Sequence, residues 1–532
     1  MTRTILRSAT NRQGRRRGSH SLRGLLPAIV LSAACAPVGA GPAEPEPLVS
    51  VGAGPTEPEP VVSVGALRAE FTEIFADPAF QNAYWGVMVQ SVETGEILYR
   101  QNAEKLFMPA SNNKLLTAAV ALRRLGPDYR FHTRVAATGP VAEDGTLQGD
   151  LVVVGGGDPA ISERFYEDDP TAVFRDWADS LKAHGITRIA GDIVGDDDLF
   201  DDVHLGPGWA WDYLDAYFAA EIGALLYNEG AVTFRVTPGD TLGAPANVVA
   251  LPATGYLKLE TDIVTVADST GARLRADRRP FSNDARLWGT IWIGEDTLTR
   301  YIAPHDPTMF FVTVLAEILE DEAVEVAGRP IDADSLPEAE RGDSLVTVFV
   351  HESPPFSEIV TPFLKRSQNQ IGEMLLRYLG VVDSDTGSLR AGRRVVGGTL
   401  TDWGIPESAY IYRDGSGLSR YNYVSPDALI RLLRVMARRT EFDVFYDAMP
   451  IAGVDGTLEE RMRGTRAEGN ARAKTGYIAN SRALSGYVTT LDGELLAFSL
   501  IVNNFDESVD AAEYLQDLAV ERLANFSRAG RR

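Results

Sequence analysis

The sequence predicts an α+β fold: an antiparallel sheet flanked by helices, interrupted by a β-rich insertion. Three observations carry that expectation. Near the C-terminus, residues 471–475, 485–490 and 495–502 are apolar-rich runs of strand length, the last two joined across Leu491-Asp-Gly493. Residues 111–125 and 509–526 instead repeat their apolar positions at helical spacing, Ala512, Leu515, Ala519 and Leu523 forming one stripe. From 131 to 328 the texture changes to short runs broken by Gly, Asp and Pro, which reads as one or two inserted β-rich lobes.

Each element follows in order. Residues 1–36 read as an export signal, with Arg3, Arg7, Arg12, Arg15, Arg16, Arg17 and Arg23 ahead of an apolar run at 25–34 that is too short to span a bilayer. Two processing outcomes compete. Ala34-Cys35-Ala36 fits a signal-peptidase site, whereas Leu31-Ser-Ala-Ala-Cys35 approximates a lipoprotein box, imperfect at Ser32, that would lipidate Cys35. A sole cysteine followed by a spacer favours the lipid anchor. The spacer repeats itself, 38–50 as 51–63, and its Pro and Glu content makes 37–66 an extended tether.

The body of the chain then divides into a discontinuous catalytic domain at 67–130 and 329–527, the insertion at 131–328, and a disordered tail at 528–532. Within the domain, 67–75 is helical, and strands at 86–92 and 97–100 are joined by Glu93-Thr-Gly95-Glu96. The helix at 111–125 stops at Gly126-Pro127. Helical patterns resume at 308–319, 357–365 and 371–379.

Composition removes several functions. A chain of 532 residues exceeds one compact core, so two or three domains are expected. A net charge of −23 argues against nucleic acid and suits a soluble exported protein. One cysteine excludes an internal disulfide or thiolate cluster, and six scattered histidines lack zinc-ligand spacing. The acidic stretch 196–202 misses the calcium-loop spacing and reads as a solvated turn. No cofactor is expected.

Three short pieces carry the chemistry: Ser111-Asn-Asn-Lys114, Ser367-Gln-Asn369 and Lys474-Thr-Gly476. A serine hydroxyl is a poor nucleophile until a base takes its proton. Lys114 lies one helical turn from Ser111, on the same face, and can act as base if desolvation or a second cation lowers its pKa. Lys474 supplies that second cation. Alone, each piece has an ordinary explanation: a helix start with a surface lysine, a capping pair, a strand-to-turn junction. Together and in this order they form a serine acyl-transfer site with lysine as its base. A Ser–His–Asp hydrolase is disfavoured, since G-x-S-x-G is absent and histidine is sparse.

In these motifs the chain resembles the penicillin-binding protein and serine β-lactamase superfamily. The long interval from Ser111 to Ser367 is similar to that of class C low-molecular-mass penicillin-binding proteins, the D-alanyl-D-alanine carboxypeptidase/endopeptidase family. Gly155-Gly-Gly-Asp-Pro159, Asp414-Gly-Ser-Gly-Leu-Ser419, Val424-Ser-Pro426, Ala452-Gly-Val-Asp-Gly-Thr457 and Arg482-Ala-Leu-Ser-Gly486 agree. The resemblance implies a transpeptidase/β-lactamase-like fold and hydrolysis of peptidoglycan stem peptides, with β-lactams as inhibitors, outside the cytoplasm. It implies Ser111 as nucleophile, Lys114 as base, Ser367 and Lys474 as a proton relay, and Asn369 as a guide for the acyl amide. Thr475, Gly476 and Tyr477 would bind substrate. Two departures stand out: Gln368 where the family has Asp, and Tyr477 where it has Thr or Ser, whose bulk is expected to narrow the carboxylate subsite. Two other readings compete, a β-lactamase or esterase of the same superfamily and a peptidoglycan-binding scaffold of low activity.

Overall fold

A computed structural model describes residues 60–337, 345–384 and 386–528. The expected export signal and most of the expected tether therefore lie outside the described residues. Five antiparallel strands form the central sheet, in the order Arg472–Ile478, Ser481–Thr489, Leu495–Asn503, Tyr84–Ser91, Ile97–Gln101. The three C-terminal runs are consecutive neighbours in it, as expected.

The two sheet faces follow from strand alternation. Trp85, Val87, Val89, Leu484, Val488, Phe498 and Leu500 enter one core with helix α1 (Val64–Ile74) and the last helix (Val509–Ala524). The expected stripe of that last helix, Ala512, Leu515, Ala519 and Leu523, is buried there. The opposite face carries smaller residues, among them Ala483, Ser485, Ala497 and Ser499, and receives α2 (Asn113–Leu125) with its helical neighbours. Small side chains on that face leave room for the helix Pro426–Met436, which lies directly on the Tyr84–Ser91 and Leu495–Asn503 strands with α2 beside it. Helix α2 ends at Gly126, whose φ of 87° is cheap only for glycine.

The insertion has its own five-stranded sheet, ordered Pro330–Asp332, Ile193–Asp196, Leu151–Val154, His132–Ala137, Val346–Glu352. Its core is closed by α3 (Ala172–Ala183) and α4 (Pro307–Asp321) through Phe174, Trp177, Phe311 and Leu315. Three three-stranded sheets complete it.

Four expectations are corrected. The insertion returns to the catalytic domain after Glu352 rather than at 328, because Val346–Glu352 pairs with His132–Ala137. It also holds α3, whose Val173, Phe174, Trp177, Ala178 and Leu181 form a buried helical stripe within a stretch read as strands. Residues 61–66 belong to the folded domain: Val61 bridges Phe526, and α1 begins at Val64. Arg528, placed in a disordered tail, is bonded to Glu96 and Glu494 at 2.7 Å each, and only 529–532 fall outside the description.

The insertion joins the catalytic domain through a two-chain neck. Ser353 N donates to the Phe131 carbonyl at 3.0 Å and Phe356 N to the Tyr129 carbonyl at 2.8 Å. Beyond the neck, α5 (Phe356–Lys365) and α6 (Asn369–Val381) return against α2.

Candidate active site

The three motifs converge on the helix-covered face of the central sheet. Ser111 lies in a 3₁₀ turn, Ala110–Asn112, that runs directly into α2. Ala110 has φ 48°, a left-handed conformation rare for alanine. That twist is held from outside: the Asn112 amide donates to the Lys474 carbonyl at 2.8 Å, and the Asn113 amide to the Asp414 carbonyl at 2.7 Å. The nucleophile turn is thus stitched to the edge strand on one side and to the 414–419 turn on the other.

Lys114 is fully buried. Its Nζ donates to Ser111 Oγ at 2.9 Å, Asn369 Oδ1 at 2.6 Å and the Ser416 carbonyl at 2.7 Å. Three oxygen acceptors use all three protons of an ammonium, or leave a neutral amine its lone pair for the serine proton. Burial lowers its pKa to about 7, although Asp414 and Glu373 pull the other way. Lys474 is also fully buried and donates to the Thr475 carbonyl at 2.9 Å. Burial, then Lys114, holds its pKa well below the usual lysine value.

Ser367 sits at the α5–α6 junction with φ 62°, a second strained, non-glycine position in the site. Its half-buried hydroxyl has no hydrogen bond among the described residues, so the implied link from Ser367 to Lys474 is not made in this state. Thr475 Oγ1 donates to Thr457 Oγ1 at 2.7 Å, which gives the 452–457 segment a place beside the edge strand.

Tyr477 differs from expectation. Its ring lies under the Arg482 guanidinium, 3.6 Å from the ring centroid, and Arg482 reaches Glu513 of the last helix at 3.5 Å. The ring therefore leans towards the sheet face opposite Lys474, and the expected narrowing of the carboxylate subsite is replaced by a cation–π pair between an exposed ring and a buried guanidinium. Its N–H is a different matter. Ala473 N donates away from the neighbouring strand, to the Pro450 carbonyl at 3.0 Å, and two-residue alternation puts the Tyr477 N–H on the same open edge.

Sequence reasoning missed a layer of buried charge behind these groups. Glu373 and Arg377, one turn apart on α6, are both fully buried, as is Asp414. Glu373 Oε1 accepts from Ser416 N at 2.8 Å, fixing the turn whose carbonyl holds Lys114. Burial, then Asp414, raises the Glu373 pKa. Asp414 accepts from Gly417 N at 2.8 Å, Ser419 N at 2.6 Å and Asn422 Nδ2 at 2.6 Å. The insertion also reaches the site. Trp209 Nε1 donates to Asp414 at 2.9 Å, and Asn369 Nδ2 donates to the Phe218 carbonyl at 2.6 Å. The Asp414-Gly-Ser-Gly segment and the Glu373/Arg377 spacing were the signals present in the sequence.

Comparison with known proteins fits this geometry. Residues 67–525 match the D-Ala-D-Ala carboxypeptidase 3 (S13) family. The chain belongs to that family. A D-alanyl-D-alanine carboxypeptidase of Actinomadura sp. strain R39 is 35% identical over 87% of this chain and 85% of its own length. The D-alanyl-D-alanine carboxypeptidase DacB of Haemophilus influenzae is 26% identical over 79% and 85%. The crystal structure of penicillin binding protein 4 from Haemophilus influenzae shares the fold, with a TM-score of 0.70 at 23% identity, covering 85% of this chain and 98% of that one. The family match at 67–525 spans the insertion, which sets aside the β-lactamase reading. This S13 chain is a serine hydrolase of the penicillin-binding class.

Proposed function

We propose that this S13 enzyme cleaves the terminal D-alanyl-D-alanine bond of peptidoglycan stem peptides, and related cross-links, through an acyl-enzyme on Ser111. The observation that carries the reading is a fully buried Lys114 amine 2.9 Å from the Ser111 hydroxyl. Ser111 Oγ attacks the carbonyl between the two D-alanines while Lys114 accepts its proton. The N–H groups of Ser111 and Tyr477 stabilise the oxyanion, each worth about 3 kcal/mol. Lys114 passes that proton on through the Ser367 hydroxyl to the nitrogen of the departing D-alanine, which restores the serine hydroxyl and the neutral lysine. Asn369 orients the amide of the acylated peptide. Lys474, Thr475 and the Gly476 backbone receive the terminal carboxylate, whose charge returns Lys474 to its protonated form. Water then attacks the ester, with Lys114 as base, and frees the serine.

The Gln368 departure leaves these roles in place. Gln368 is buried as the N-cap of α6, and no reacting group of the scheme depends on its side chain. The enzyme works outside the cytoplasm, where peptidoglycan lies. Its export signal, sole cysteine and repeated tether support a lipid anchor at Cys35.

Intact-mass analysis after exposure to penicillin tests the scheme. One penicilloyl adduct, mapped to the peptide containing Ser111 and absent from Ser111→Ala, is expected, together with D-alanine release from a D-Ala-D-Ala peptide by wild type only. An adduct on another serine overturns the assignment.

A further inference from the structure

A second feature lies away from the catalytic residues, where α7 (Leu389–Asp402) ends beside α8 (Pro426–Met436). A hollow of about 500 Å³ is lined by Trp403, Arg431, Arg434, Val435, Arg438 and Arg439. Positions 431, 434, 435 and 438 fall on one helical face, continued by the turn that follows α8. Four guanidinium groups therefore share one concavity in a chain that carries 74 acidic and 51 basic side chains. Acidic groups are in excess over the whole chain, yet most of these four clustered arginines face no carboxylate among the described residues.

Only Arg431 has one, Asp427 at 2.6 Å. Among the described residues, Arg434 and Arg438 have no ion pair or side-chain hydrogen bond, and the Nε atoms of Arg434 and Arg439 are buried without a partner. Nearby carboxylates are already committed: Glu441 faces Arg123 at 3.7 Å, and Glu96 holds Arg528 at 2.7 Å. Arg439 stacks on Trp403 at 4.7 Å, which orients its fork but neutralises nothing. Burial, then Arg438 and Arg431, lowers the Arg434 pKa, the mark of cations crowded together. The C-terminal dipole of α8 offers about half a negative charge, too little for four cations. Such an arrangement is completed by a multivalent oxyanion, whose oxygens accept several guanidinium forks at once.

Position selects the source of that oxyanion. A Cβ added at Gly95 would come within 2.8 Å of the Arg434 guanidinium, so the hollow borders the turn after the Tyr84–Ser91 strand. Glu96, next in that turn, binds Arg528, and Val61 is hydrogen-bonded to Asn525 and Ser527 at 3.0 and 2.9 Å. The point where residues 60–61 enter the fold thus shares one end of the sheet with the arginines. A molecule of net charge −23 is repelled by an anionic bilayer except through such a face.

We propose that this hollow binds the phosphate of an anionic phospholipid headgroup and docks the domain on a membrane surface. The site is independent of any acyl chain at Cys35, so the test uses the exported chain carrying Cys35→Ser. That protein should co-sediment with phosphatidylglycerol vesicles and not with phosphatidylcholine vesicles. Arg434→Gln/Arg438→Gln should bind the anionic vesicles about 30-fold less tightly, equivalent to ~2 kcal/mol for two basic side chains at an anionic leaflet. Its thermal midpoint and its acylation by penicillin should stay unchanged. Arg188→Gln, a charge removal in the insertion where Arg188 pairs with Glu325 at 2.7 Å, should bind as the parent does. Equal binding by the double variant overturns the proposal, as does an equal loss in Arg188→Gln. Binding of inorganic phosphate at the hollow without any vesicle binding overturns the headgroup assignment.

Discussion

In the proposed scheme Lys114 is the residue on which the chemistry turns, and its burial gives a testable pH dependence. A lysine base is active when neutral. With its pKa lowered to about 7, kcat/KM should fall tenfold per pH unit below about 7 and level off above it. Glu373→Gln keeps the shape but removes a carboxyl that, when ionised, favours protonated Lys114; since burial raises its own pKa it is only partly ionised there, and the acid limb should move to lower pH by a fraction of a unit. A limb that stays in place would show that Glu373 acts only by holding the Ser416 turn. Tyr477→Thr should change kcat/KM by less than about threefold, because its ring leans away from Lys474. It should also lose the ~1–2 kcal/mol of a cation–π pair whose guanidinium is buried, read as a lower thermal midpoint. The spacing of Ser111, Lys114, Ser367, Asn369 and Lys474 was legible because nucleophile, base and cation have fixed residue types. Glu373 and Asp414 were not legible as partners, since a carboxylate on paper gives no sign of its burial.

At the scale of elements, the 414–417 turn matters as much as the helices. Gly417 has φ 88°, and a Cβ there would lie 1.9 Å from the Ala110 carbonyl. Gly417→Ala should therefore push the nucleophile turn away from Lys114. Acylation should slow at least tenfold, and stability should drop by about 1–3 kcal/mol for a side chain forced into left-handed backbone against a fixed carbonyl. Denaturant titration and the acylation rate measure the two effects separately. The sheet and its flanking helices were readable because period-two and period-3.6 patterns survive in single segments. Helix α3 was obscured for a local reason. It sits in a stretch dense in Gly, Asp and Pro, and its stripe of Val173, Phe174, Trp177, Ala178 and Leu181 was outweighed by that punctuation.

For the whole molecule, the N-terminal segment makes attachment testable. A lipidated Cys35 predicts that wild type fractionates with membranes and that Cys35→Ser moves to the soluble extracytoplasmic fraction, with any residual membrane binding sensitive to salt. A soluble wild type with a mature N-terminus near Pro37 would favour signal-peptidase cleavage. The insertion's extent to Glu352 was hidden from the sequence, because the pairing of 346–352 with 132–137 spans more than two hundred intervening residues and leaves no local pattern.

That pairing, with the neck beside it, leaves the insertion covalently joined to the catalytic domain at one place, through adjacent chains at 129–131 and 353–356. Everything else that seats it is non-covalent: Phe200, Ile222, Ala224 and Leu226 pack with Met374, Arg377 donates to the Val203 carbonyl at 2.7 Å, Trp209 donates to Asp414, and Asn369 donates to the Phe218 carbonyl. Since Asn369 also accepts from Lys114, this seat ends on a residue that holds the lysine. Part of the wall around Lys114 is thus borrowed from a separate fold, and a substitution that loosens the seat would reach Lys114 without touching any of the three motifs.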